Sequence, residues 1–253
     1  MERVDLDRVH WESFSVDVEL KGSIVRADSD PGVIVWSGSA HYMAGVEDYD
    51  EQDFSDGNDV PRWDAAIEKG RALFLREEDE DLARWSVLQM SGVLVDLVTT
   101  IGSVVDQLDS MSADYEAFSP VFADNELHPD LLEVVEGVGN RAVLIDRVNL
   151  APAWRGAGGV GRVLISRILG LFTSTDAGVV ATIPYPIDLF DECDRRRDVE
   201  QHPRFGEELE RVRRVWDSIG FMPYRDGIWV MDPAKVHHDN GVRVIESRLP
   251  RMR

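Results

Sequence analysis

Apolar and polar positions alternate along residues 14–20, with Phe14, Val16, Val18 and Leu20 on one side, the period of two expected of a half-buried strand. Residues 23–27 and 33–43 also read as strands, separated by Lys21-Gly22 and by Asp28-Ser29-Asp30-Pro31-Gly32, so the front of the chain predicts an antiparallel meander. Residues 63–74 have helical character, and residues 82–90 suit either a strand or a helix. Between 93 and 115 the residues Leu94, Leu97, Ile101, Val104, Val105 and Leu108 recur at intervals of three and four, which predicts one helix packed along a single stripe. Ser119-Pro120 ends that segment, and His128-Pro129-Asp130 opens a short helix to about Val135.

The second half has a clearer rhythm. Residues 142–150 are rich in aliphatic and β-branched side chains, Pro152 stops the strand they predict, and Val160, Val163, Leu164, Ile168 and Leu171 then repeat at helical spacing. Residues 178–183 form a second apolar run ended by Pro184-Tyr185-Pro186, consistent with a strand parallel to the first after a helical crossover. Residues 205–219 predict an amphipathic helix with Leu209, Val212, Val215, Trp216 and Ile219 inward, closed by Gly220-Phe221. A hairpin follows, residues 222–224 and 228–231 about Arg225-Asp226-Gly227. The expected fold is α/β in the α+β sense: a mixed sheet flanked by helices with an antiparallel β extension in front. Its expected parts are a β region (1–60), a helical region (61–140), a core (141–235) and a tail (236–253).

Charge narrows the partners. Acidic residues number 48 against 27 basic ones, a formal charge of -21, which makes a nucleic-acid or anionic membrane surface a poor partner. Residues 47–61 carry seven acidic side chains in fifteen, too dense to bury, and predict a solvated loop; their spacing fails the helix-loop-helix calcium pattern. Cys193 is the single cysteine, so neither an intrachain disulfide nor a paired-cysteine metal site is expected, and it reads as incidental in its charged surroundings. With no leader pattern and no apolar run of membrane length, the expected compartment is the cytoplasm.

Chemistry concentrates between the strand and helix of residues 142–171. Four glycines in six residues, Gly156, Gly158, Gly159 and Gly161, let the backbone approach an anion, and the amides of the following helix point into the same space with the positive end of its dipole. A diphosphate is the natural guest. A nucleotide site is one way to use such a cradle, but no Lys-Ser/Thr follows Gly161, and Asp176 is a coincidental counterpart of a ribose ligand.

Two separated motifs give a more specific reading. Leu150-Ala151-Pro152-Ala153-Trp154-Arg155-Gly156 running into Gly159-Val160-Gly161 is similar to the pyrophosphate signature of the GNAT superfamily of acyl-CoA-dependent N-acyltransferases, and Trp216-Asp217-Ser218-Ile219-Gly220-Phe221-Met222-Pro223 is similar to the segment closing that family's last core helix. The resemblance covers about residues 141–233. It implies a splayed pair of central parallel strands and acetyl-CoA, or another acyl-CoA, as donor, with no metal. It implies that amides of Arg155, Gly156, Ala157, Gly158, Gly159, Val160, Gly161 and Arg162 hold the coenzyme A diphosphate. The pantetheine arm would pair near Val148 and Leu150, bordered opposite by Ile183 and Pro184.

The sequence departs from the family at three points. The glycine turn is one residue longer when counted back from the helix, Trp216 stands where many members have a proton-donating tyrosine, and Leu209 replaces a frequent asparagine. An indole cannot protonate a thiolate at ordinary pH. Asp146 is the candidate base, with an ion pair to Arg147 or Arg141 as its structural alternative, and Tyr185 and Tyr224 are candidate proton donors. His237-His238 reads as surface. The expected activity is direct transfer of an acyl group, most simply acetyl, to a small-molecule or peptide amine; the alternative is a degenerate relative that binds acyl-CoA as a sensor or interaction module.

Overall fold

The computed structural model describes residues 14–21, 30–45, 72–77, 80–136, 139–173, 176–191, 196–234 and 236–249. The expected strand at 23–27, the acidic loop at 47–61, most of the expected helix at 63–74, Cys193 and the side chain of His237 lie outside the described residues.

The strands are β1 (Phe14–Lys21), β2 (Val33–Gly45), β3 (Ala72–Glu77), β4 (Glu80–Asp96), β5 (Phe122–Ala123), β6 (Glu126–Leu127), β7 (Arg141–Leu150), β8 (Ala177–Thr182), β9 (Met222–Pro223) and β10 (Trp229–Met231). The α-helices are α1 (Val104–Met111), α2 (Ala113–Glu116), α3 (Val160–Thr173), α4 (Arg196–Glu200), α5 (Phe205–Asp217) and α6 (Val236–Glu246). Eight strands form one mixed sheet, seven of them in the order β1-β2-β4-β7-β8-β10-β9, with β3 paired beside β4; β5 and β6 make a separate small hairpin. Every pairing is antiparallel except β7 with β8, the strand pair joined through α3. The N-terminal strands are thus half of the main sheet.

Both faces of the sheet's centre, around β4, β7 and β8, are covered. On one, Trp36, Leu94, Val143, Ile145 and Val180 pack with the apolar sides of α3, α5 and α6. On the other, Val93, Val95, Leu144, Val179 and Ala181 pack with Val104 and Leu108 of α1 and with the segment around β5 and β6. Neighbouring residues of one strand serve opposite cores, as strands buried on both faces must.

That double burial corrects the helix expected over 93–115. Residues 93–96 end the 17-residue strand β4, because Val93, Leu94 and Val95 are all needed inside. Alternation vanishes from such a strand, and periodicity no longer separates it from a helix. The helical part begins only at Val104, where the Ser103 side chain accepts from the Asp106 amide, and breaks again at Ser112, whose side chain accepts from the Tyr115 amide. Ile101, expected on the buried stripe, is exposed. Residues 61–140, expected to be helical, therefore also hold β3 and β4. Residues 72–74 lie in β3.

The expected tail is corrected too. Residues 236–246 form α6, which lies along α3 and buries Ile245, followed by the buried Leu249. His238 Nδ1 lies 2.7 Å from the Ile219 carbonyl, tying α6 to the end of α5. Among the described residues no helix is long and apolar enough to cross a membrane.

Candidate functional site

The site begins with an irregularity in β7. Along β4, Gly92 pairs with Ile145 and Ser91 with Arg147, so Asp146 is the extra residue of a β-bulge. The bulge reverses side-chain parity: Val143 and Ile145 face the α3 side of the sheet, and after it Val148 and Leu150 face that same side while Arg147 and Asn149 turn to the other. Asp146 is left between the two faces, half-buried.

Beside the bulge the sheet opens. The parallel pairing of β7 with β8 runs from Arg141 to Ile145, closed by the Thr182 hydroxyl donating to the Ile145 carbonyl at 3.3 Å. β8 then ends at Thr182, and Pro184 and Pro186 cannot donate to a neighbouring strand. β7 continues to Leu150, bonded to β4 along one edge, while the edge that faced β8 loses its partner. Two central strands thus diverge directly beside Asp146.

A cleft of about 490 Å³ fills the divergence on the α3 side, between β7, the glycine turn and α5. Gly156, Gly158 and Gly159 all have positive φ, the backbone for which the turn needs glycine. Within the turn the amides of Ala157, Gly158, Val160 and Arg162 already donate to carbonyls of Trp154, Gly156, Ala157 and Gly159. The amides of Gly156, Gly159 and Gly161 have no backbone acceptor, and all three residues line the cleft. Of the eight amides expected to hold a diphosphate, three are therefore open for it, at the positive end of the 14-residue α3. Gly161 also permits close packing, since a Cβ there would lie 2.8 Å from Leu150 Cδ2, pressing the first turn of α3 onto the end of β7.

Charge at this cleft differs from the chain average. Arg155, Arg162, Arg211 and Arg214 line it against Asp146, Asp188 and Glu208. Arg155 is held twice, its Nε donating to the Leu150 carbonyl at 2.9 Å and its Nη2 pairing with Asp188 at 2.8 Å across the mouth of the opening. Arg162 donates to Ser218 Oγ at 3.1 Å, and Arg211 lies 3.5 Å from Glu208. A local cationic wall in an acidic protein suits an anionic guest.

A second cavity of about 500 Å³ lies on the opposite side and shares Asp146, Ile183, Tyr185 and the Arg155–Asp188 pair with the first. The gap between the strands therefore communicates with both faces of the sheet. Burial pushes the Asp146 carboxyl above its ordinary value, with Arg147 and Arg196 opposing and Asp114 adding to the shift. The ion pair considered for Asp146 is not formed: Arg141 binds Asp96 at 3.0 Å, and no described cation lies within 4.0 Å of Asp146. Burial, then the charges of Asp146 and Asp114, opposed by Arg147, push the nearby Tyr115 hydroxyl up to about 12.

The two tyrosines separate. Tyr185 lines both cavities, edge-on to Phe205 with centroids 5.7 Å apart, and its hydroxyl donates to the Arg196 carbonyl at 3.3 Å. Tyr224 packs on the core of the other face, accepts a hydrogen bond from Arg225 and lines neither cavity. Trp216 is buried at the cleft wall, 4.8 Å from the Phe221 ring centroid, where it contributes apolar surface. Val148, Leu150, Arg155, Gly156, Ala157, Gly159, Val160, Gly161 and Arg162 line the first cleft; Gly158 shapes the turn without reaching it. Sequence reasoning missed Asp114, Asn149 and Asp188. Asp114 arrives from a remote segment, and Asn149 would be assigned to the wrong face by anyone counting twos through an unseen bulge.

Among the described residues no group of three or more His, Cys, Asp or Glu side chains could hold a metal ion. Compared with known proteins, the chain matches no family model, no curated protein and no solved structure.

Proposed function

We propose that the protein is an acyl-CoA-dependent N-acyltransferase of the GNAT type, acting in the cytoplasm on a small-molecule or peptide amine, with acetyl-CoA as the simplest donor. The observation that carries this reading is the conjunction of a strand gap at Asp146 with three unpaired amides, of Gly156, Gly159 and Gly161, lining the same cleft. The amides and the α3 dipole suit a diphosphate, and the open edge of β7 after the bulge suits an amide-bearing arm that pairs as an added strand. The residues present fit such a donor, which would supply a thioester carbonyl.

The chain's own groups then have distinct tasks. Asp146, with its carboxyl pKa raised by burial, takes a proton from the amine at the junction of the two cavities. The amine nitrogen bonds to the carbonyl carbon, the carbon–sulfur bond breaks, and the departing thiolate receives a proton from Tyr185, whose hydroxyl turns from the Arg196 carbonyl to give it and regains one from solvent as Asp146 releases its own to solvent. No covalent enzyme intermediate is needed; positioning supplies much of the rate.

Thiol release from acetyl-CoA with a panel of amines tests this, alongside calorimetry with coenzyme A, ATP and NAD. Binding of coenzyme A with turnover supports transfer, and binding of ATP or NAD alone sinks it. A second reading, an acyl-CoA-binding sensor, draws on Trp216, which offers no proton to a thiolate. Coenzyme A binding without turnover on any amine would favour it.

A further inference from the structure

The second cavity carries information about the acceptor that the net charge of the protein conceals. Its walls come from the α2 segment (Asp114, Ala117, Phe118), from β7 beyond the bulge (Arg147, Asn149) and from the segment after β8 (Tyr185, Phe190). Most of its charges already cancel in pairs: Arg155 with Asp188 at 2.8 Å, and Arg196 with Asp114. Two groups are left over. Among the described residues Asp146 and Arg147 form no ion pair within 4.0 Å and no hydrogen bond through their side chains. The bulge places them consecutively, Asp146 at the junction with the first cleft and Arg147 on the second cavity only. One carboxylate and one guanidinium without an ion-pair or hydrogen-bond partner among the described residues therefore line a space whose remaining wall includes Phe118, Tyr185 and Phe190.

Resting on the acyl-transfer reading of the same site, we infer that the acceptor is a zwitterionic amine: a compound whose amino group meets Asp146 while a carboxylate or other anion meets Arg147, with an apolar or aromatic body against the phenylalanines. A polyamine satisfies Asp146 but places a second cation beside Arg147. An uncharged amine leaves the guanidinium unanswered. A guanidinium presents a planar fork of donors matched to a carboxylate, so the anion contributes discrimination as well as affinity. The overall charge of -21 draws cations toward the surface, whereas this cavity selects for both signs at once.

Calorimetry in the presence of coenzyme A decides it with three probes: L-phenylalanine, L-phenylalaninamide and spermidine. L-phenylalanine is expected to bind at least about tenfold more tightly than the amide, the effect of one charge-assisted hydrogen bond, and more tightly than spermidine. Arg147→Ala should abolish that preference and Arg147→Lys restore part of it, in proteins whose thermal unfolding is unchanged because Arg147 is exposed. Equal or tighter binding of the amide or of spermidine overturns the inference, as does a preference that survives in Arg147→Ala. The readout needs no turnover, so the two ideas fail separately. L-phenylalanine bound without thiol release on any amine sinks transfer alone; spermidine acetylated in preference to L-phenylalanine sinks the acceptor class alone.

Discussion

The two cavities that meet at Asp146 have nearly the same volume, about 490 and 500 Å³, yet they are made of different materials. The first adds main-chain amides, a helix terminus and apolar strand residues to its four arginines. The second presents side chains: two closed ion pairs, one open carboxylate, one open guanidinium and aromatic faces. A backbone site depends on conformation and is damaged by residues that cannot adopt the turn. A side-chain site depends on individual groups and is damaged by single deletions. On the proposed acyl-transfer reading, donor recognition and acceptor recognition should therefore break under different kinds of mutation.

The largest effect is expected at the group the cavities share. Asp146→Asn should lower kcat/KM by about 10²–10⁴-fold, the usual contribution of a general base, while leaving the coenzyme A dissociation constant in place. In the wild type the rate should rise with pH through a value above the ordinary aspartate range, because burial raises the Asp146 pKa. The sign for stability is opposite. A carboxyl raised in the folded state contributes stability that is complete below its unfolded pKa and is lost as pH rises through the folded one. Near neutrality Asp146→Asn should thus hold or raise the thermal midpoint, and a clear fall would recast Asp146 as structural.

Next comes the backbone of the first cleft. Gly159 has φ +107°, and a Cβ there would lie 2.6 Å from Ile245 Cγ2 on α6. Gly159→Val should weaken coenzyme A binding at least about tenfold and cost about 1–3 kcal/mol of stability, the scale of one strained backbone position. Transfer at saturating donor should suffer less than binding does, which kcat and KM measured separately would show. Unaltered coenzyme A affinity would remove the turn from the donor site.

The tyrosines give the smallest effects and the sharpest contrast. Tyr185→Phe should lower kcat several-fold without changing coenzyme A affinity. Tyr224→Phe should stay within about twofold of wild type in turnover, since Tyr224 lines neither cavity and its part-buried hydrogen bond to Arg225, worth about 1 kcal/mol, bears on stability. Equal losses in the two variants would mean that lining the cavities is not what matters.

Much of the first cleft was legible in the chain. Residues 142–150, the glycines of 156–161, the apolar stripe of 160–171 and the prolines after 183 each obey a local rule of spacing or of backbone freedom, and they fold as strand, turn, helix and strand end. The second cavity was not legible. Its residues come from segments near 114–118, 147–149 and 183–196, and no local pattern states that they meet. β4 was half hidden for another reason, since burial of Val93, Leu94 and Val95 on two faces erased the alternation that announces a strand.

Local chemistry alone therefore determined where the backbone can turn, which stretch can present unpaired amides, and that a single cysteine offers no intrachain disulfide. Tertiary structure decided the rest. It placed a bulge at Asp146, which exchanged the faces of every residue from Arg147 to Leu150, and it ended β8 where β7 still had five residues to run. It also folded the last helix against the glycine turn. Such outcomes depend on pairing between distant strands, and pairing register is a property of two segments at once, which neither carries by itself.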